Sequence, residues 1–141
     1  MDTSDKISIS VETEIEAPVD KVWRVWTEPA FIMQWCHASD DWHAPYAENK
    51  LLVGAGFKTT MSAKDGSVSF DFEGVYTNIK EFELIEYKMS DGRMVKISFV
   101  NSGKVTKLIE TFEPENIHPP EFQKAGWQAI LDNFKKCVEA N

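Results

Sequence analysis

Cysteine is scarce in this chain. Its two copies, Cys36 and Cys137, lie far apart in sequence, each beside a helical apolar pattern. They read as free thiols of a cytoplasmic protein rather than as a disulfide framework. Basic side chains are also few, 15 Lys and Arg against 23 Asp and Glu, which leaves a net charge of −8. A surface this acidic repels phosphate backbones, and no basic cluster exceeds Lys135-Lys136. Neither nucleic acid nor an anionic membrane is therefore an expected partner. No apolar run approaches the ~20 residues of a membrane helix. The N-terminus lacks the apolar centre of a secretory signal. Linkers, repeats and low-complexity segments are missing too, so residues 1–141 read as one domain. A domain of this size buries roughly two-thirds of its unfolded surface and needs no disulfide or metal to hold it.

Catalytic motifs are equally sparse. There is no Gly-x-Ser-x-Gly elbow, and Gly54-x-Gly56 lacks the Gly-Lys-Ser/Thr ending of a phosphate loop. Cys36, His37, Asp40, Asp41 and His43 are close in sequence. Their spacing is not that of a zinc site, so no metal and no cofactor are expected. Asp40-Asp41 are adjacent in a predicted loop, which does not set two carboxyls across a substrate. Cys36 follows Trp35 at the end of an apolar helix and reads as a buried, inert thiol. His37 or His43 is expected to point into a cavity mouth, where an imidazole titrating near neutrality can orient a ligand.

What the chain does have is aromatic bulk, 12% of its residues including five Trp, and clear periodicity. Ile7, Ile9, Val11, Thr13 and Ile15 alternate with polar residues, which predicts a half-buried strand over 7–16. Pro18 and Asp20 open a short helix with Val19, Val22, Trp23, Val25 and Trp26 inward, and Pro29 restarts a second one to about Trp35. Residues 36–50 show no period and read as a long loop. Strands are predicted at 51–62, 67–78, 82–89, 93–100 and 104–113, the first with a possible break at Gly54-Ala55-Gly56. Asp65-Gly66, Asp91-Gly92 and Ser102-Gly103 supply hairpin turns, and short turns make the neighbours antiparallel. Val68, Phe70, Phe72 and Tyr76 share a face with Gly74; glycine in a strand marks a bend, a bulge or a close backbone approach, and in a sheet that curls around a helix a bend is the expected reason. The tail, residues 119–141, carries Trp127, Ile130, Leu131, Phe134, Cys137 and Val138 three and four apart, the stripe of one long helix.

Three segments carry a family resemblance. They are IEAPVDKVWRVWTEPAFIMQW at 15–35, Gly74-x-Tyr76 followed by Ile79 and Phe82, and GWQAILDNFKKCVE at 126–139. Together they resemble the SRPBCC, or START-like, superfamily, in the branch related to the activator of the ninety-kilodalton heat-shock chaperone's ATPase (the Aha-type domain). The resemblance implies an α+β helix-grip fold. In it, a curved antiparallel sheet of six or seven strands wraps a long C-terminal helix, with two short helices after the first strand. It also implies a cavity between helix and sheet, in which relatives hold lipids, sterols, polyketides or other apolar molecules.

The rings expected to face that space are Trp26, Phe57, Phe70, Phe72, Tyr76, Tyr87, Phe99, Trp127 and Phe134, with Ile130 and Leu131 from the helix. Each ring alone fits ordinary core packing. Together they either fill the space or line a gap. The leading expectation is a carrier or sensor of a small hydrophobic or aromatic ligand, working as a monomer or a homodimer. The alternatives are a chaperone partner acting through its surface, and a cyclase or hydrolase with His37, His43 or Tyr76 as proton donors.

Overall fold

The computed structural model describes residues 8–141. Strand β1 (Ile9–Ile15) leads into two short helices, α1 (Val19–Thr27) and α2 (Pro29–Trp35). Six further strands follow: β2 (Trp42–Asn49), β3 (Gly56–Ala63), β4 (Ser69–Lys80), β5 (Leu84–Met89), β6 (Met94–Asn101) and β7 (Thr106–Phe112). Helix α3 (Pro120–Ala140) ends the chain. The strands form one antiparallel sheet in the order β1-β7-β6-β5-β4-β3-β2. It curls as a half-barrel around α3, a helix-grip α+β fold. No helix among the described residues is long and apolar enough to cross a membrane.

The alternation read in the first strand is real from Ile9 onward; Ile7 lies outside the described residues. Val11 and Ile15 are buried between exposed glutamates. This strand is an edge of the sheet, and an edge leaves backbone groups unpaired. Helix α3 meets them with polar side chains. Gln128 Nε2 donates to the Glu12 carbonyl (3.1 Å), Lys135 Nζ to the Glu14 carbonyl (2.7 Å), and the Glu16 N–H to Glu139 Oε2 (2.9 Å). The apolar face of the same helix turns inward. Leu131, Phe134 and Val138 are buried in the core cluster that includes Ile15, Ile97 and Leu108.

Three boundaries differ from expectation. Residues 36–50 are not one loop, because strand β2 runs through 42–49. A bulge between His43 and Tyr46, at Pro45, places one extra residue opposite β3 and interrupts the period of two. The strand expected from 51 starts at Gly56. Residues 51–55 form a turn with Gly54 at φ +90°, tied to β4 by the Gly54 N–H to the Tyr76 carbonyl and the Tyr76 N–H to the Ala55 carbonyl, both 2.9 Å. The strand expected from 82 starts at Leu84, since Phe82 adopts φ +66° in the preceding turn. A side chain there is strained; its ring is held edge-on against Trp23, 5.9 Å away.

Candidate ligand cavity

The two halves of α3 behave differently. Its C-terminal half is packed on the sheet, while its N-terminal half stands off it and encloses a cavity of about 620 Å³. Alternation on each strand sends every second side chain into that space. Strand β3 contributes Phe57, Thr59 and Met61, β4 contributes Phe70, Phe72 and Tyr76, and β5 and β7 contribute Tyr87 and Glu110. Gly126, Trp127, Ile130 and Leu131 face them from α3, and the end of α2 adds Ile32, Trp35, Cys36 and His37. The rim includes exposed Phe70 and Phe122, with His118 beside them.

The rings interlock. Phe57 meets Tyr87 edge-on at 4.8 Å and Phe72 at 5.4 Å, and Trp127 meets Phe72 edge-on at 6.1 Å. Gly74 seats two of them. A Cβ at this position would lie 2.7 Å from Phe57 Cε1 and 2.7 Å from Tyr87 Cδ1. Close approach, not a bend, therefore explains this glycine; the register shift of β4 falls later, between Tyr76 and Asn78. Tyr76 O–H donates to Asn49 Oδ1 (2.6 Å), whose Nδ2 donates to the Thr27 carbonyl (2.7 Å), linking sheet to α1. At the rim, Gln123 is buried and holds the strap before α3. Its Nε2 donates to the carbonyls of Glu115 (3.1 Å) and His118 (2.8 Å), and its Oε1 accepts the Glu115 N–H (2.9 Å).

Most residues expected at a site are brought together here: Trp26, His37, Phe57, Phe70, Phe72, Tyr76, Tyr87, Trp127, Ile130 and Leu131. Three are not. His43 is exposed on the outer face of β2, because alternation turns it away from its cavity-lining neighbour Trp42. Phe99 and Phe134 are buried behind the wall, where Trp26 covers them at ring distances of 6.3 and 4.9 Å. With His43 outside and Cys36 buried, the 36–43 segment gathers no ligand set. No group of three or more His, Cys, Asp or Glu able to hold a metal occurs among the described residues.

Sequence reading missed Glu110. Its signal was present: Leu108, Glu110 and Phe112 are alternate residues of one strand, so a carboxyl shares the core face with two large apolar side chains. Glu110 is only 6% exposed, and burial pushes its pKa up to about 8. Burial, with a smaller contribution from Glu110, pushes the Cys36 thiol up to about 12. The Tyr87 phenol is raised well above its ordinary value for the same two reasons, burial first. His37 moves the other way. Burial lowers its pKa, Lys64 adds to the effect and Asp40 opposes it, while its Nδ1 is buried with no hydrogen-bond partner among the described residues. At neutral pH the cavity floor is thus apolar surface with uncharged donors set in it.

A half-barrel gripping a helix, hollow beneath that helix's first turns, defines the helix-grip class. The chain belongs to the family described as Activator of Hsp90 ATPase homolog 1-like protein, whose model matches residues 16–139. Among solved structures, an AHSA1-like protein from Aeromonas hydrophila is 43% identical, with a TM-score of 0.89 over 95% of this chain and 93% of that one. A protein from Cytophaga hutchinsonii is 52% identical, with a TM-score of 0.81 over 95% and 93%. A protein from Chromobacterium violaceum shares the fold at 22% identity, with a TM-score of 0.84 over 95% and 98%. No curated protein matches the chain.

Proposed function

We propose that this protein binds a small, largely apolar molecule between α3 and the sheet, as a carrier or sensor. The observation that carries this reading is the cavity itself, about 620 Å³ walled by interlocked aromatic rings with few polar groups. That volume lies within the roughly 300–1,000 Å³ of drug-sized ligand sites, which share the same composition. Aromatic walls favour a flat or lipid-like ligand over a sugar or a nucleotide phosphate, since no cation cluster faces the interior. Native mass spectrometry of freshly purified protein, followed by displacement of a fluorescent lipid, tests it. A co-purifying species or saturable displacement is expected. No bound species and no uptake across lipids, sterols and aromatic compounds would sink it.

A second reading rests on the family description alone: a chaperone partner acting through a surface. A pull-down with the cell's own ninety-kilodalton chaperone and an ATPase assay decide it. Unchanged turnover at saturating protein removes activation.

A further inference from the structure

The mostly apolar cavity receives three polar side chains from the sheet, Glu110 from β7, Tyr87 from β5 and Thr59 from β3. All three residues are more than nine-tenths buried. Among the described residues, no hydrogen bond ties these three side chains to the protein; their polar atoms are open to the cavity, unlike the sealed and unpartnered His37 Nδ1. Leaving such groups unpaired is costly, and a cavity wall tolerates them where an occupant completes them. We propose that Glu110, in its protonated form, and Tyr87 donate to one uncharged oxygen acceptor on the ligand, a carbonyl at the end of an apolar or aromatic body. The proposal rests on the ligand-binding reading above and names the ligand's polar group.

Charge decides between a carbonyl and the other natural partner of a carboxyl, an amine. The titratable groups that share the cavity with Glu110 are Cys36 and His37 at the end of α2, Tyr76 on β4 and Tyr87 on β5. Arg93 from the β5–β6 turn, and Glu115 and His118 from the strap, complete the set; the α3 residues that line the space do not titrate. Arg93 is committed elsewhere: its Nε donates to Asp91 Oδ2 (2.7 Å) and its Nη1 to the Glu113 carbonyl (3.1 Å). Cys36 and Tyr87 lean on Glu110 as would-be anions and stay protonated. The floor is therefore a set of donors without a fixed counter-charge. It suits an acceptor and offers an ammonium group no second acceptor of full charge.

Displacement of Nile red by fluorene, 9-fluorenone and 9-aminofluorene tests this, because the three share one body and differ in the polar group. At pH 6, 9-fluorenone is expected to bind about tenfold more tightly than fluorene, within the range for two net neutral hydrogen bonds. The preference should fade by pH 9 as Glu110 ionises. It should lose that pH dependence in E110Q, whose amide still donates, and fall in E110L to the smaller, pH-independent part that Tyr87 supplies. If E110L does not fold, the E110Q pH profile alone decides. Equal affinity of fluorene and 9-fluorenone at pH 6 overturns the proposal while leaving ligand binding intact. So does 9-aminofluorene binding best and tightening as pH rises. Displacement by none of the three overturns this proposal, and failure of Nile red itself to bind counts against ligand binding here as well.

Discussion

The indole of Trp127 lies flat on the ring of Phe112, with centroids 3.9 Å apart and planes 7° from parallel. Phe112 is fully buried at the end of β7, while Trp127 also lines the cavity. One face of the indole is thus core and the rest is wall. Trp→Ala in a sealed core costs about 3–5 kcal/mol. With part of its surface facing open space, Trp127→Ala should cost less, about 2–3 kcal/mol in urea denaturation. The same variant should bind a displaceable fluorescent lipid more weakly. A loss of 4 kcal/mol or more with unchanged lipid affinity would assign the indole to the core alone.

Gly74 offers a way to shrink the cavity without touching a lining side chain. An added methyl meets the Phe57 and Tyr87 rings, and both rings line the cavity. Gly74→Ala should push them into the cavity, costing roughly 1–3 kcal/mol of stability as overpacking. Apparent affinity for a bulky fluorescent lipid should drop, and that for a small aromatic such as fluorene should drop less. Equal effects on both ligands would mean that the rings move sideways and the volume is kept.

The parts of the fold that were legible are those with undisturbed periodicity. Alternation at Ile9–Ile15, the Gly turns and the α3 stripe each reflect one local geometry repeated without interruption. Strand β2 was hidden because Pro45 and its bulge break the alternation after His43. The same break made His43 resemble a loop residue free to point inward. Within the site, the aromatic lining was legible as a set, yet Phe99 and Phe134 show the limit of that reasoning. All these rings lie between the sheet and the helices, and only the depth of Trp26 separates those in contact with the cavity from those behind it. Depth is a property of packing between elements, which no single element's period encodes.

The two thiols should differ sharply in reactivity. Cys36 is buried with its pKa pushed up to about 12. Only about one part in ten thousand is then thiolate at pH 8. Cys137 is partly exposed at the far end of α3, and burial raises its pKa as well. A chromogenic disulfide reagent added to native protein should modify Cys137 first and reach Cys36 only on unfolding. Two thiols reacting at one rate in native protein would show that the cavity opens far more often than its packing implies.

Glu110 should make the folded state less stable as the solution becomes more alkaline. Its folded pKa, about 8, lies above the ordinary carboxyl value, so between the two the native state holds a proton that the unfolded chain has released. Stability then falls with rising pH through this window, by up to about 1.4 kcal/mol per pH unit, and levels off above the folded value. His37 acts in the opposite sense, since its lowered pKa makes the unfolded chain the better proton acceptor below neutrality. Comparing wild type with Glu110→Gln removes the His37 contribution, because both proteins share it. The wild-type minus variant difference in unfolding free energy should decline steadily from pH 5 to about pH 8. A difference that is flat across that range would mean that Glu110 is already ionised in the folded protein, with a partner or solvent that offsets its burial.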